Sequence, residues 1–355
     1  MSAGNGGQAL AGDLALRGHE VTLLEHPRFE ATVEAIRAKE NRIQLENKIT
    51  GVGQLARVTT DAKEALNGAE IVYFTAPSFA QGPFFDLALP LFEDGQILVL
   101  SPGNYGTFAL RKAFRDMGKD VVVGETDNLP YACTALEPGR VAVRGVKNPV
   151  TLAVFPAKDY RRVDDRMKDA FCTSYVQGAN VLQTSMANTN MVVHCAPMLM
   201  NAGWIESSRG NFRFYFDGMS PAVCRVMEAV DNERIAVGKA FGLNLRSTTE
   251  TIRAQYGVQG DDLFAVIRAN PAFGGDKPDA PKTRGHRFLT EDTPFSLLPL
   301  VELARLAGVR TPVLRAVLEL CGPLLGENSL ETGVTLKKMG LEGKSVSEIR
   351  DLLES

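Results

Sequence analysis

Four short apolar runs, spaced through the first third of the chain with helical stretches between them, constrain the fold most. Val21-Thr22-Leu23-Leu24, Ile71-Val72-Tyr73-Phe74, Ile97-Leu98-Val99-Leu100 and Val121-Val122-Val123 each read as a strand. Helical apolar spacing falls at 8–17, 29–39, 62–66, 84–92 and 108–117. Gly18 and Gly118 follow two of these, where a left-handed C-terminal cap is expected. Near-continuous apolar strands separated by helices predict a parallel sheet covered on both faces. Val141-Ala142-Val143-Arg144 and Thr151-Leu152-Ala153-Val154-Phe155 flank a Lys147-Asn148-Pro149 turn and read as a hairpin appended to that sheet.

Beyond about residue 182 the strand pattern stops. Residues 221–241, 261–269, 294–306 and 312–325 carry helical apolar spacing. Ser247-Thr248-Thr249-Glu250 and Ser345-Val346-Ser347-Glu348 have capping-box spacing, each starting a new helix. The expected organisation is a doubly wound α/β domain over 1–182 followed by an all-α domain over 183–355. The loop Gly274-Gly275-Asp276-Lys277-Pro278-Asp279-Ala280-Pro281 is of a kind that lines a site more often than it builds a core.

With 39 basic against 42 acidic residues, a net charge of −3, the chain carries no field suited to nucleic acid or an anionic membrane. It has no apolar run long enough to span a bilayer and no secretory signal pattern. The five cysteines, Cys133, Cys172, Cys195, Cys224 and Cys321, lack zinc-type spacing and read as reduced thiols of a cytoplasmic protein, with no metal site. Apolar helix faces can serve core or interface, which leaves the oligomeric state open, a homodimer included.

Gly4-Asn5-Gly6-Gly7 leads directly into the helical stretch, as the end of a dinucleotide-binding turn does. Glycine admits a pyrophosphate close to the backbone, and a helix N-terminus offers unpaired N–H donors. Ser2 then takes the place of the first fingerprint glycine. Glu25 ends the next strand, 18 residues after Gly7, where an acid accepts hydrogen bonds from the adenosine ribose. A carboxylate there favours NAD, while His26 and Arg28 keep NADP open. Pro77 and Gln81, just past the 71–74 strand, are placed to approach the cofactor. The strand that should precede the glycine turn is missing, although such a strand is central and buried. The natural start is therefore expected upstream of Met1.

Of four histidines, His194 lies amid apolar residues at the start of the helical half, with Asp292 as its candidate partner. Alone, a buried structural histidine is the simpler reading. Asn190 lies four residues earlier and could face the same way on a helix. Trp204, Tyr215 and Phe216 read as core, and Arg209 and Arg213 as solvated surface.

Taken together, several motifs resemble the opine dehydrogenase family (octopine, nopaline and N-(1-carboxyethyl)norvaline dehydrogenases). They are Gly4-Asn5-Gly6-Gly7, Gly124-Glu125-Thr126 with Pro130-Tyr131-Ala132-Cys133, Asn188-Thr189-Asn190 leading to His194, Tyr215 to Pro221, Asp231 to Ala236, and Arg287 to Asp292. The resemblance covers nearly the whole chain and implies a Rossmann domain joined to a helical one. It also implies NAD(P)H-dependent reductive condensation of an α-keto acid with an amino acid. By the same resemblance, His194 and Asp292 form the catalytic dyad and Arg287 holds a substrate carboxylate. Thr134 stands where relatives often carry arginine, so that arginine's role is not carried over. Two other readings remain. One is a β-hydroxyacid or ketopantoate-type reductase using Lys239, and the other is a non-catalytic dinucleotide-binding protein.

Overall fold

The computed structural model describes every residue except 169, 171, 172, 276 and 327–330, so Cys172 and the Asp276 position of the 274–281 loop lie outside the described residues. The chain divides into two compact units, residues 1–184 with 354–355, and residues 185–353.

Among the described residues, the strands all lie in the first unit: β1 (Thr22–Leu24), β2 (Arg42–Asn47), β3 (Gly51–Gln54), β4 (Arg57–Thr59), β5 (Ile71–Phe74), β6 (Ile97–Leu100), β7 (Val122–Thr126), β8 (Tyr131–Glu137), β9 (Arg140–Val146), β10 (Val150–Phe155) and β11 (Tyr175–Gln177). Strands β5, β6 and β7 pair in parallel. Antiparallel β10 and then β11 complete a sheet of order β11-β10-β7-β6-β5. Every residue of β6 is buried, as expected of a strand covered on both faces. This is a Rossmann-like mixed sheet.

The expected hairpin at 141–155 does not form. Strand β9 joins a separate sheet of order β3-β2-β9-β8, whereas β10 pairs with β7 and β11. The burial patterns explain the split. In β10 five of six residues are buried, which requires a neighbour on each edge and cover on each face. In β9 only Val141 and Val143 are buried, alternating with half-exposed or exposed positions. Lys147-Asn148-Pro149 is therefore a crossover between sheets. The alternation of Ile43 and Leu45 with polar neighbours makes β2 the partner that β9 needs.

The helix predicted over 8–17 spans Asn5–Leu16, so Asn5, Gly6 and Gly7 already form its first turn, with Gly4 as N-cap. Close approach explains the glycines. A Cβ on Gly7 would lie 1.8 Å from the Ser2 carbonyl oxygen, and one on Gly53 would lie 2.4 Å from the Gly12 carbonyl oxygen. Helix, N-terminal segment and β3 thus pack at backbone contact.

Parallel strands β1 and β4 stand apart from the five-stranded sheet. The backbone of Met1 and Ser2 bridges β1 and β5, with Ser2 N–H donating to Leu24 O (2.8 Å) and Thr75 N–H to Met1 O (3.2 Å). A cavity of about 520 Å³ opens there, lined by Leu10, Leu14, Leu23 and Ile71 among others.

The second unit has no strand among its described residues, and its longest helix spans Pro221–Ala240. The capping boxes at Ser247–Glu250 and Ser345–Glu348 form, each with the serine hydroxyl and the glutamate carboxylate accepting from the other's backbone N–H. Trp204 is not core as expected. It is 43% exposed on the helix Ala202–Ser208, whose buried residue is Ile205, and it stacks on Phe212. No helix among the described residues is long and apolar enough to cross a membrane.

Candidate active site

Two helices in the second unit are each interrupted by a single widened, π-helical turn, Met191–Cys195 and Thr293–Leu297. Such turns carry one extra residue per hydrogen-bonded ring and displace side chains from the regular helical rows. His194 sits inside the first turn and Asp292 immediately before the second, both buried. Their side chains meet, His194 Nδ1 to Asp292 Oδ2, at 2.7 Å. Beside them Cys195 Sγ lies 3.6 Å from Thr293 Oγ1, and burial pushes that thiol well above the ordinary cysteine range. Cys195 is therefore an inert packing group between the two turns.

The imidazole is fixed on its other sides as well. Phe288 stacks on its face with ring centroids 3.7 Å apart. The Tyr215 hydroxyl lies 3.1 Å from Nε2. Burial, reinforced by the charges of Asp279 and Asp292, holds the Tyr215 phenol far above its usual range, so it keeps its proton. With the Asp292 carboxylate accepting from Nδ1–H, the imidazole presents the Nε2 lone pair, and Tyr215 O–H donates to it. This is the arrangement of a general acid–base histidine: an orienting carboxylate behind, and a reactive nitrogen in front.

His286 flanks Phe288 edge-on, with its Nδ1 accepting from Phe288 N–H at 3.4 Å. Burial, then the neighbouring His194 and Arg287, lower its pKa to about 4, so it is neutral at neutral pH. Arg287 follows at the start of the helix Arg287–Thr290. Its side chain is half-exposed and one arm of its guanidinium pairs with buried Glu291 at 3.2 Å. Asn190 directly precedes the first π turn and is half-buried. Arg213 is not simply solvated, since Asp217 holds it through two nitrogens and it lies over Phe216, with Arg268 also over that ring. Lys239 is exposed in the last turn of its helix.

In the first unit, the first-turn N–H groups of Asn5, Gly6 and Gly7 precede the first intrahelical bond, from Gln8 N–H to Gly4 O at 3.0 Å. Ser2, in the place of a fingerprint glycine, has φ 91°, a conformation that favours glycine. Glu25 is buried, and its two carboxylate oxygens accept from Ala3 N–H and His26 N–H, each at 2.6 Å. The structure thus joins Glu25 to the glycine turn. Asn5 Oδ1 accepts from Ala135 N–H, anchoring the turn to β8. Pro77 starts a short turn, and Gln81 Nε2 donates to Gly103 O at 3.3 Å. Thr134 Oγ1 accepts from Arg144 Nη2 at 2.7 Å, so a guanidinium from the neighbouring strand stands beside Thr134.

Sequence reasoning takes Tyr215 for core, whereas its hydroxyl reaches His194 Nε2, and it does not single out Phe288. Their signal was present but weak: aromatic residues inside two of the motifs that carried the resemblance.

Comparison with known proteins agrees with this geometry. Residues 177–325 match the family model described as NAD/NADP octopine/nopaline dehydrogenase, alpha-helical domain. An opine dehydrogenase of Arthrobacter sp. (strain 1C) is 32% identical over 359 residues, covering 100% of this chain and 98% of the relative. Among solved structures, octopine dehydrogenase with NADH and L-arginine superposes with a TM-score of 0.78 at 23% identity, covering 98% of this chain and 96% of that one. Yersinopine dehydrogenase with NADP+ bound gives a TM-score of 0.68 at 14% identity, covering 99% and 96%.

Proposed function

Because the chain belongs to the opine dehydrogenase family, we propose that it joins an α-keto acid to the amino group of an amino acid and reduces the resulting imine to a secondary amine dicarboxylate. The observation that carries this reading is the buried His194–Asp292 pair set between two π turns.

The glycine turn fits a dinucleotide. Its three leading N–H groups point along a helix N-terminus, and no side chain can be added at Gly7 without striking backbone. Gly4, Asn5, Gly6 and Gly7 would hold the pyrophosphate, and Glu25, braced by Ala3 and His26, would accept from the adenosine ribose. Pro77 and Gln81 would border the same cofactor. Bound NADH or NADPH supplies the hydride. His194, oriented by Asp292, removes a proton from the substrate ammonium so that the amine can attack the keto carbon. It then returns that proton to the departing hydroxyl. Arg287, with one arm on Glu291, offers its remaining donors to a substrate carboxylate. Asn190 is placed to add a polar contact beside His194. The thiols of Cys195, Cys224 and Cys321 suit a reducing, cytoplasmic setting.

A matrix of keto acids against amino acids, followed by NADH absorbance, tests the reading. NADH should be consumed only when both partners are present. Oxidation with a carbonyl compound alone would point instead to a ketopantoate-type reductase working through Lys239. Cofactor binding without turnover on any pair would leave a non-catalytic dinucleotide-binding protein.

A further inference from the structure

We propose that the Tyr215 hydroxyl is the proton relay between His194 Nε2 and the substrate nitrogen, so that the reacting base is a three-member chain, Asp292–His194–Tyr215. This rests on the reaction proposed above and adds to it the group that substrate meets first.

Three observations carry the inference. His194 Nε2 is already engaged by Tyr215 at 3.1 Å, while Nδ1 is committed to Asp292 at 2.7 Å. A substrate proton can therefore reach the imidazole only by displacing the phenol or by passing through it. Displacement is opposed by packing. The Tyr215 ring stacks on Phe273 with centroids 4.7 Å apart and meets Phe214 edge-on at 5.3 Å, and Phe288 covers the imidazole. Close-packed aromatic rings in such contacts do not swing aside without losing them. Finally, the hydroxyl donates its one proton to Nε2 and has lone pairs left to accept from a substrate N–H.

The step balances. The ammonium N–H bond breaks and its proton passes to Tyr215 Oη, while the Tyr215 O–H bond breaks and that proton passes to Nε2. A neutral amine, a neutral phenol and an imidazolium facing the Asp292 carboxylate result. After the amine has attacked the keto carbon, a proton moves from the new ammonium nitrogen to the alkoxide, giving the neutral carbinolamine, and the same two transfers then run backwards. The proton reaches the carbinolamine hydroxyl, the C–O bond breaks, and water leaves as the nitrogen lone pair forms the C=N bond.

Charged and titratable groups facing this chain are Asp292, His286, Arg287, Asp279 and Tyr256. Tyr215→Phe leaves all of them and keeps the stacked ring, removing only the hydroxyl. The relay predicts a kcat lower by about a hundredfold with KM for the amino acid nearly unchanged. It also predicts a kcat/KM profile moved to higher pH, because the donor that favours neutral imidazole is gone. In mixtures of light and heavy water, the wild-type rate should curve with isotope fraction, as two protons move together, and the variant rate should run straight. An unchanged kcat, or straight dependence in both proteins, overturns the relay.

A second arm needs no turnover. The nitrogen chemical shift of His194 Nε2 should differ between wild type and Tyr215→Phe; an identical shift overturns the Tyr215–Nε2 bond and the relay with it. If no keto acid and amino acid pair consumes NADH in the wild type, the reaction itself is wrong, and a changed Nε2 shift would then mark a hydrogen bond that is not a relay.

Discussion

Two of the carboxylates buried in the helical unit, Asp231 and Asp292, are used differently. Asp231 accepts from Arg234 Nε, from the Thr248 backbone N–H and from the Thr248 hydroxyl. Arg234, fully buried, spends its other nitrogens on the Met186 and Arg246 carbonyls. Both members of that pair are saturated, and a guanidinium does not give up its proton. Asp292 instead faces an imidazole, whose second nitrogen can accept a proton, and that imidazole leads on to a hydroxyl with spare acceptor capacity. A saturated buried pair ties helix ends together; a buried pair ending in a titratable group can move a proton. The contrast separates stability from chemistry within one packed unit.

Substitutions should pull the two apart. Asp292→Asn, the largest effect on activity, is expected to lower kcat/KM by about 10²–10⁴-fold. It should cost little stability, since a neutral amide replaces a buried charge. Arg234→Met should do the reverse. It strands the Asp231 charge in the core and lowers stability by about 3–5 kcal/mol, while turnover per folded molecule stays near normal. Chemical denaturation beside steady-state kinetics reads both. If Asp292→Asn unfolded as easily as Arg234→Met, the division between the two carboxylates would fail.

Arg287 sharpens the comparison from the side of binding. Its half-exposed fork keeps one arm on Glu291, an anchor that leaves donors directed outward. Arg287→Lys removes the planar fork but keeps the charge. If Arg287 holds a substrate carboxylate as proposed, KM for that substrate should rise about tenfold, or roughly 1.4 kcal/mol, with kcat changed much less. A fall in kcat at constant KM would move Arg287 from binding to chemistry.

These two carboxylates were also unequally legible beforehand. Asp231 and Arg234 stand three apart on an evident helix, so their pairing follows from helical spacing. His194 and Asp292 are 98 residues apart, so no local spacing dictates their pairing: Asp292 stands in the sequence only as a candidate partner, and the dyad comes from the resemblance. Apolar runs revealed β5, β6 and β7 because a strand buried on both faces has no polar positions to disguise it. The short β3 and β4 carry too few residues for a period to register. The π turns left no trace in composition, since one extra residue in a hydrogen-bonded ring needs no particular side chain. Tyr215 was hidden for a related reason: in a segment of aromatics, a ring used for its hydroxyl looks like a ring used for its area.

The smallest effect concerns a second contrast, between the two histidines on either side of Phe288. His194 has a carboxylate partner; His286 has only a backbone N–H and a partly desolvated ring, and its pKa is lowered from 6.5 to about 4. Between those values the unfolded chain binds a proton at His286 that the folded chain does not. Folding is therefore penalised progressively as pH falls from 6.5 towards 4, and the penalty levels off below that. His286→Asn keeps an acceptor for Phe288 N–H without a titratable ring. The fall in Tm across this window should be smaller in the variant than in the wild type. Equal falls would mean that His286 takes up its proton normally in the folded protein, placing a second cation beside His194. Keeping His286 neutral leaves a single proton acceptor in the aromatic pocket, which is what a base needs when its partner is one buried carboxylate.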